Sequence, residues 1–468
     1  MEKVERIKAR ESKQLESLRK KAAKAPYAGY LIVIMIIAIL IHSVDEITTL
    51  VGNNIKSSWV TEFFVQGRGM TFNEGLSYLS ALGLVSFVIM LIVPFYKALA
   101  DKYGRKIFLV LNTLGMAVGM LISMLSKSFA VYFIGTLIGS FFIAHDMQVV
   151  YILEVAPPNK RARFYGITKA IGTLGFVLLP LMRRAFMGDD PTRWRMVYLV
   201  PIILTVVIAL IALFFARESS PFLKGRLEQL EIPYEERLAR DQEAKLQKKA
   251  NKEKTGVFPA LKYIFKHKEL KWVIIIILIY YLCVAGMGSF YEPIMYAANM
   301  PTADITNALF MYGFMFAAVI LIAGFMGDAI GRKATAAIFG ILSIGLFILF
   351  VYSAQHAWNP YLVGAFYGLY LGCFWQGGDY LSIIAAEKLP TSIRSSGAAA
   401  LALILMIGAM VGNIYMSIAL RFTSISNAIL YQAIPSIVIA MILLIWKVKE
   451  TKGVDLTTVG QEEEPTSI

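Results

Sequence analysis

Residues 97–106 read Lys-Ala-Leu-Ala-Asp-Lys-Tyr-Gly-Arg-Lys, and residues 324–333 read Gly-Phe-Met-Gly-Asp-Ala-Ile-Gly-Arg-Lys. Both contain Asp-x-x-Gly-Arg-Lys between two long apolar segments, and Asp101 and Asp328 lie 227 residues apart in a chain of 468. Glycine tolerates positive φ and therefore suits a short reversal between two helices, while Arg-Lys is typical of a cytoplasmic loop. A loop motif that recurs in the second half of the chain predicts two similar halves.

The composition predicts a membrane protein. Hydrophobic residues make up 57% of the chain and charged residues 17%, with a mean hydropathy of +0.62, whereas soluble domains have about 25% charged residues. The net charge is +14, but 37 of the 46 lysines and arginines fall in segments that we expect to be cytoplasmic. Because this asymmetry follows the positive-inside rule, the basic charge indicates membrane topology, and we expect no nucleic-acid partner.

Twelve apolar segments, each near the ~20 residues that span a bilayer, predict an all-α polytopic membrane protein. In chain order, segments one to twelve lie at 27–52, 77–98, 107–126, 130–153, 165–186, 195–216, 272–297, 306–327, 334–355, 361–386, 395–420 and 426–448. The predicted domains are a cytoplasmic N-terminal tail (1–26), a six-helix bundle (27–216), a cytoplasmic central loop (217–271), a second six-helix bundle (272–448) and a cytoplasmic tail (449–468). We expect a monomer in the lipid bilayer of the plasma membrane, with both termini in the cytoplasm.

A second repeated motif follows segments four and ten. It reads Glu-x-x-Pro-x-x-x-Arg at 154–161 and again at 387–394. A carboxylate is unfavourable at a helix C-terminus and needs cationic partners. Together with the two loops, the motif predicts an ionic latch between the halves at the cytoplasmic side, although the charges could instead serve only to determine topology. The candidate gate residues are Asp101, Arg105, Glu154, Arg161, Asp328, Arg332, Glu387 and Arg394.

The paired loops resemble those of the major facilitator superfamily, and two further stretches resemble its sugar-porter branch. Arg-Glu-Ser-Ser-Pro-Phe-Leu at 217–223 is similar to that branch's Pro-Glu-Ser-Pro-Arg box, and residues 449–453 are similar to its Pro-Glu-Thr-Lys-Gly box. The resemblance covers all twelve segments. It implies a twelve-helix transporter that works by alternating access, with segments one, four, seven and ten lining its cavity.

Several positions depart from the sugar-porter pattern. The hydroxyl-binding amides of segment seven are replaced by Tyr280, Tyr281 and Gly286. Positions 133 and 134 hold Phe and Ile where the branch carries an arginine that pairs with the aspartate of segment one, and Gly378-Asp379 stands in place of a Gly-Pro pair. The resemblance therefore implies the scaffold but not hexose specificity.

Five carboxylates occur deep within predicted segments, and all five lie on segments one, four, seven and ten. They are Asp45, Glu46, Asp146, Glu292 and Asp379. A carboxylate at mid-membrane costs about 2.5–3.5 kcal/mol on insertion scales, so these groups should face water, solute or one another. We expect no lysine or arginine at matching depth, which favours a neutral or cationic solute over an anion.

The candidate site residues follow from spacing and from the resemblance. His42 lies three and four residues before Asp45 and Glu46, so one helical face can hold all three. Asp45 also falls where sugar porters carry their proton-accepting aspartate, and we assign proton coupling to Asp45, Glu46 and Asp146. The candidates for substrate binding are polar or aromatic residues of the same segments: His42, His145, Gln148, Tyr280, Tyr281, Glu292, Trp375, Gln376 and Asp379.

These features predict a secondary active transporter that moves a small polar solute together with protons and uses no cofactor or resident metal. A divalent-metal or organic-cation transporter is the alternative, since imidazoles and carboxylates suit Mn²⁺ or Fe²⁺. A second alternative is a non-transporting sensor on the same fold, with the central loop as its output. The sequence contains no nucleophile–base motif or phosphate-binding loop, so we do not expect an enzyme.

Overall fold

A computed structural model describes residues 2–23, 29–143, 147–156, 161–233, 235–237, 240, 257–389 and 394–453. Regular secondary structure in these ranges is helical throughout, which confirms the predicted all-α class. Up to residue 231 the α-helices are Glu2–Ala22, Tyr30–Asn54, Lys56–Val60, Phe72–Tyr103, Arg105–Leu125, Phe129–Ile143, Met147–Val155, Arg161–Thr173, Leu178–Met182, Leu199–Phe215 and Ser220–Glu231. From residue 257 they are Val257–Lys266, Lys268–Tyr281, Val284–Ser289, Tyr291–Ala297, Thr302–Ile330, Arg332–Gln355, Pro360–Glu387, Arg394–Ala419 and Ile425–Lys447.

Four shorter pieces interrupt or extend the α-helices of the first half. They are π-helical at Thr61–Gln66 and Arg183–Met187, and 3₁₀-helical at Leu174–Val177 and Pro191–Tyr198. Nine of the described helical stretches are long and apolar enough to cross a membrane. These nine match predicted segments one, two, three, five, six, eight, nine, eleven and twelve.

The remaining three predicted segments are also helical where the structure describes them. Segment four is described in two pieces, Phe129–Ile143 and Met147–Val155, and segment ten is the 28-residue helix Pro360–Glu387. Segment seven is divided into three short helices that begin at residues 268, 284 and 291. It contains Gly286, Gly288 and Pro293, which have low helix propensity and favour such breaks. The full count of twelve spans therefore stays a prediction.

The chain forms two compact units that do not coincide with the two sequence halves. The first comprises Met1–Gly52, Val88–Leu179 and Arg195–Asn251. In this unit Gly119 and Gly139 bring two neighbouring helices into close contact, since a Cβ on Gly119 would lie 2.5 Å from the backbone nitrogen of Gly139. Small residues at a helix interface are typical of membrane proteins, where packing replaces the hydrophobic effect between helices.

The N-terminal helix Glu2–Ala22 is anchored to the first part of the central loop in this same unit. Leu18 packs against Leu223 and Leu230 of the helix Ser220–Glu231. A surface ion pair of 3.0 Å between Arg19 and Glu231 flanks this small apolar cluster. The predicted cytoplasmic tail therefore contains a helix with a defined packing partner.

The second unit comprises Asn53–Phe87, Pro180–Trp194 and Lys252–Ile468. Gly364 and Gly368 let the helix Pro360–Glu387 approach the backbone of Ala308 and Tyr312, because a side chain at either glycine would clash there.

Large apolar side chains are exposed on the long helices. Phe95, Phe214, Phe325 and Trp446 are each at least 75% exposed. Apolar surface of this kind is costly in water but favourable against lipid chains. It therefore supports the assignment of these helices to a membrane.

Candidate functional site

The helix Tyr30–Asn54 brings three predicted site residues together. The His42 ring is 1% exposed, with Nδ1 3.6 Å from Oδ2 of Asp45 and Nε2 3.5 Å from Oε1 of Glu46. Gln148 lies on the helix Met147–Val155 and donates from Nε2 to Oδ2 of Asp45 over 3.2 Å. The predicted i, i+3 and i+4 face thus exists, with an imidazole between two carboxylates.

Two glycines that were not among the predicted site residues hold this face against the neighbouring helical stretch. A Cβ on Gly172 would lie 2.6 Å from Cδ2 of His42, and a Cβ on Gly175 would lie 2.6 Å from Cβ of Ser43. Larger residues at positions 172 and 175 would push the two backbones apart. Their separation of three residues is the only signal of this close packing in the sequence.

Two of the predicted residues fall outside the described ranges. These are His145 and Asp146. Their assignment to substrate binding and proton coupling, respectively, therefore stays a prediction. Within the described ranges, no group of three or more His, Cys, Asp and Glu side chains has a geometry that could hold a metal ion.

Three predicted site residues of the helix Pro360–Glu387 lie between positions 375 and 379: Trp375, Gln376 and Asp379. Gln376 donates from Nε2 to Oδ2 of Asp379 over 3.3 Å, and this bond lies at the surface of the protein. Trp375 is half-buried. Because the spacing of Trp375 and Asp379 is i and i+4, the indole and the carboxylate lie on one face of the helix.

The two tyrosines of segment seven pack against this helix. Tyr280 is fully buried, stacks on Phe374 with ring centroids 5.3 Å apart and donates its hydroxyl to the Phe374 carbonyl over 2.7 Å. The absence of side chains at Gly377 and Gly378 makes room for the hydroxyls of Tyr280 and Tyr281. Tyr280 therefore uses its hydroxyl within the protein in this conformation.

Glu292 is a member of a buried ionic group, which we call the Glu292 cluster and define as Lys56, Ser57, Arg183 and Glu292. Oε2 of Glu292 accepts from the backbone nitrogen of Ser57 at 2.7 Å and from its hydroxyl at 2.6 Å. Nη1 of Arg183 lies 3.3 Å from Oε1 of Glu292, and both residues are 1% exposed. This corrects the expectation that no cation lies beside the membrane acids, because Arg183 at the end of segment five contacts Glu292.

Lys56 completes the cluster from the short helix after segment one. Its ammonium donates to the carbonyl of Ser289 over 2.7 Å and lies 5.1 Å from the centroid of the Phe290 ring. Burial lowers the pKa of Lys56 to about 8, and the nearby Glu292 carboxylate acts in the opposite direction.

The predicted gate residues of the first half form what we call the first loop cluster: Arg105, Glu154, Glu218 and Ser219. The carboxylate of Glu154 accepts hydrogen bonds from Nε of Arg105 at 2.9 Å and from the hydroxyl of Ser219 at 2.5 Å. Glu218 accepts from the backbone nitrogens of Arg105 at 2.7 Å and Lys106 at 3.2 Å. It therefore satisfies N–H groups at the start of the helix Arg105–Leu125, which have no partner within that helix.

The second half repeats this arrangement in the second loop cluster: Asp328, Arg332, Glu387 and Glu450. Arg332 contacts Asp328 at 2.9 Å and Glu387 at 3.5 Å. Glu450 accepts from the backbone nitrogens of Arg332 at 2.8 Å and Lys333 at 3.0 Å. Each arginine thus contacts a carboxylate of its own sequence half, and the latch between the halves stays a prediction.

The side chains of Asp101, Arg161 and Arg394 lie outside the described part of the chain, so their role in a gate stays a prediction. Glu218 and Glu450 were not among the predicted gate residues. They belong to the two box-like stretches at 217–223 and 449–453, whose repetition after each half was the available signal.

Burial and backbone bonding act differently on the two capping carboxylates. Burial raises the pKa of Glu218 above its usual 4.5, against the lowering effect of the N–H groups of Arg105, Lys106 and Ser219. Burial also opposes ionisation of Glu450, but hydrogen bonds from the N–H groups of Arg332, Lys452, Thr451 and Lys333 hold its pKa below 4.5.

The helical architecture, with acidic residues inside its spans and repeated charged loops, defines a membrane transporter of the major facilitator superfamily. The crystal structure of a D-xylose-proton symporter has this fold, with a TM-score of 0.67 and 16% identity, covering 91% of this chain and all of that one. The chain belongs to the Sugar (and other) transporter family, which matches residues 55–462. Members of this family are transporters, so the chain is not an enzyme.

Two relatives indicate the range of proteins to which the chain is similar. The glucose transporter GlcP of Staphylococcus epidermidis is 26% identical over 384 residues, which cover 78% of this chain and 83% of that protein. Organic cation/carnitine transporter 6 of Arabidopsis thaliana is 24% identical over 437 residues, which cover 87% of this chain and 80% of that protein.

Proposed function

We propose that this protein is a proton-coupled secondary transporter of a small polar solute that is neutral or cationic. The observation that carries the proposal is the buried His42 ring between the carboxylates of Asp45 and Glu46, with Gln148 bound to Asp45. Carboxylates within a membrane span are energetically costly, and those that are retained typically serve transport or proton transfer. Histidine is the side chain best suited to exchange protons near neutral pH.

In this proposal Asp45 and Glu46, with Asp146, carry the coupling proton. His42 supplies a basic group beside them, since the branch's arginine is absent from positions 133 and 134. Gln148 orients Asp45 through its 3.2 Å hydrogen bond. Alternating access then exposes the site to each side of the membrane in turn, as in other secondary transporters. We further propose that the protein acts as a monomer in the plasma membrane with both termini in the cytoplasm.

A sugar is the first solute class to test. Glucose is the named substrate of one relative, and the family is described as sugar (and other) transporters. The family's segment-seven amides are absent here, and Tyr280 donates its hydroxyl to Phe374. Recognition of a sugar would therefore depend on Gln376, Asp379 and Trp375, which offer hydrogen-bonding groups and an aromatic face on one helix.

An organic cation is the second candidate. Asp379 presents a carboxylate at the protein surface within a membrane helix, one turn from the indole of Trp375. A carboxylate beside an aromatic face is suited to a quaternary or protonated amine. The similarity to an organic cation/carnitine transporter supports the same solute class.

The test is uptake by proteoliposomes of radiolabelled D-glucose, D-xylose, carnitine and tetraethylammonium, with and without an inward proton gradient. We expect the wild type to accumulate one of these solutes only with the gradient. Asp45→Asn should abolish accumulation but retain solute exchange at equal pH, because it removes the titrating group and leaves the solute site. Asp189→Asn, which neutralises an exposed acid, is the matched control. Normal accumulation by Asp45→Asn would contradict the coupling assignment.

A further inference from the structure

The Glu292 cluster joins segments that are distant in the chain. Its members Lys56 and Ser57 follow segment one, Arg183 lies at the end of segment five, and Glu292 lies near the end of segment seven. By the charge distribution, all of these ends lie on the side opposite the Asp-x-x-Gly-Arg-Lys loops. The cluster thus links the first and second sequence halves at the predicted outer side, within the second compact unit.

The guanidinium of Arg183 has partners in both halves. Its Nη1 contacts Glu292 and also donates to the carbonyl of Asn54, while its Nε donates to the hydroxyl of Thr306 over 3.0 Å. A buried charge is tolerated only when its hydrogen-bonding capacity is met, and removal of one partner is strongly destabilising. Arg183 therefore holds together the three elements that carry Asn54, Glu292 and Thr306.

The division of segment seven places the acceptors for this cluster. The helix Val284–Ser289 ends at Ser289, whose carbonyl receives the ammonium of Lys56. The next helix begins at Tyr291, so that Glu292 lies in its first turn and meets the hydroxyl and backbone nitrogen of Ser57. The break thus directs the Ser289 carbonyl and the Glu292 carboxylate towards Lys56 and Ser57, which follow segment one.

We propose that the Glu292 cluster is a latch that closes the outer side of the transporter and opens once in each transport cycle. Because alternating access requires contacts between the halves to break on one side at a time, the inference rests on the proposed function. It gives Glu292 and Arg183 a gating role, in place of the solute-binding role first predicted for Glu292. When the latch opens, water replaces the lost partners of both charges.

The experiment measures access to a cysteine beside the latch. Ser58 is 8% exposed and follows the latch residue Ser57. We would introduce Ser58→Cys after replacing the two native cysteines, Cys283 and Cys373, with alanine. The probe is a membrane-impermeant maleimide applied to purified protein in detergent, so that no solute is needed. Slow labelling is expected when the latch is intact.

Glu292→Gln should raise the labelling rate about tenfold or more, because it leaves Arg183 buried without its counter-charge and disfavours the closed state. Arg183→Lys, which keeps a cation opposite Glu292, should raise the rate less than Arg183→Met, which leaves the buried carboxylate without one. Asp189→Asn should leave it unchanged. If Glu292→Gln does not yield folded protein, Ser57→Ala removes one hydrogen bond to the carboxylate and should raise labelling by a smaller factor.

Unchanged labelling in folded Glu292→Gln, or in Ser57→Ala where the first variant fails to fold, would overturn the latch. Equal increases in Arg183→Lys and Arg183→Met would also overturn it, since a merely loosened fold would not distinguish a retained charge from a lost one. Transport assays separate the two proposals. If labelling responds as expected but uptake does not depend on the proton gradient, the latch is supported and proton coupling is contradicted. If uptake is coupled to the gradient but labelling does not respond, proton coupling is supported and the latch is contradicted.

Discussion

The two loop clusters have the same arrangement of an arginine, a motif glutamate and a capping glutamate. The hydrogen-bonding groups of their side chains are not equally well satisfied. In the first, both oxygens of Glu154 are bonded, one to Arg105 and one to Ser219. In the second, Arg332 divides its contacts between Asp328 and Glu387, and Oε2 of Glu387 is buried with no hydrogen-bond partner in the described ranges. The comparison shows that the repeated motif keeps the same capping of backbone N–H groups in both halves. The free energy that each cluster contributes depends on the neighbouring side chains. We expect the first cluster to contribute more to stability.

The largest difference should appear at the loop glycines. Gly104 has φ +113° and ψ 157°, and Gly331 has φ +99° and ψ 165°, a region that is almost exclusive to glycine and costs other residues about 1–3 kcal/mol. A Cβ at either position would also collide with the capping carboxylate, Glu218 or Glu450. Gly104→Ala should lower the unfolding temperature more than Gly331→Ala, because Glu450 is exposed and can move aside, whereas Glu218 is more deeply buried.

Thermal unfolding in detergent at a fixed scan rate would measure this difference. Gly166→Ala and Gly345→Ala are matched controls, because each is a helical glycine with open space around the added methyl group. The controls should be neutral or slightly stabilising. Equal losses at positions 104 and 331 would show that the burial of the capping carboxylate does not matter.

An intermediate difference is expected at the motif glutamates. Glu154→Gln removes the charge that both Arg105 and Ser219 contact and should cost about 1–3 kcal/mol. Glu387→Gln removes only a 3.5 Å contact, and Arg332 keeps Asp328, so the loss should stay below about 1 kcal/mol. The free energies of unfolding of the two variants, compared with the exposed control Glu228→Gln, would check the order. A larger loss for Glu387→Gln would contradict the account.

The smallest and most specific difference concerns pH. The pKa of Glu450 lies below 4.5, so its stabilising contribution is present above that value and is lost as the pH falls through its folded pKa. The pKa of Glu218 is raised, so protonation favours the folded arrangement and its contribution decreases as the pH rises through its folded pKa. Acidification below pH 4.5 should therefore weaken the second cluster and not the first.

Hydrogen exchange at the capped amides is the appropriate measurement, with rates corrected for their intrinsic pH dependence. Protection of the amides of Arg332 and Lys333 should fall on acidification. Protection of those of Arg105 and Lys106 should be retained over the same range. An equal change in protection at both pairs of amides would contradict the difference in burial between Glu218 and Glu450.

Much of the fold could be predicted from the sequence, because lipid imposes strong constraints. Apolar segments of the right length, the asymmetry of basic residues and the paired Asp-x-x-Gly-Arg-Lys loops were sufficient for the helical class, the repeat and the family. The breaks in segment seven could not be located from the sequence. Glycine and proline weaken a helix, but they do not determine where the neighbouring Tyr280 and Phe290 side chains will pack.

The candidate site was only partly predictable, for a related reason. Spacing along one helix correctly brought His42 towards Asp45 and Glu46, since helical geometry alone determines that contact. The contact between Glu292 and Arg183 depends on how distant segments meet, because the two residues lie 109 positions apart in the chain. Contacts between segments require the tertiary structure, which no local pattern contains.

Proton movement during solute entry tests the central claim most directly. Proteoliposomes that contain a pH-sensitive dye, with the membrane potential clamped and no initial proton gradient, would receive the solute identified by the uptake assay. We expect solute addition to acidify the interior in the wild type, and we expect Asp45→Asn to take up solute without acidification. Solute entry without proton entry in the wild type, or acidification that persists in Asp45→Asn, would contradict it.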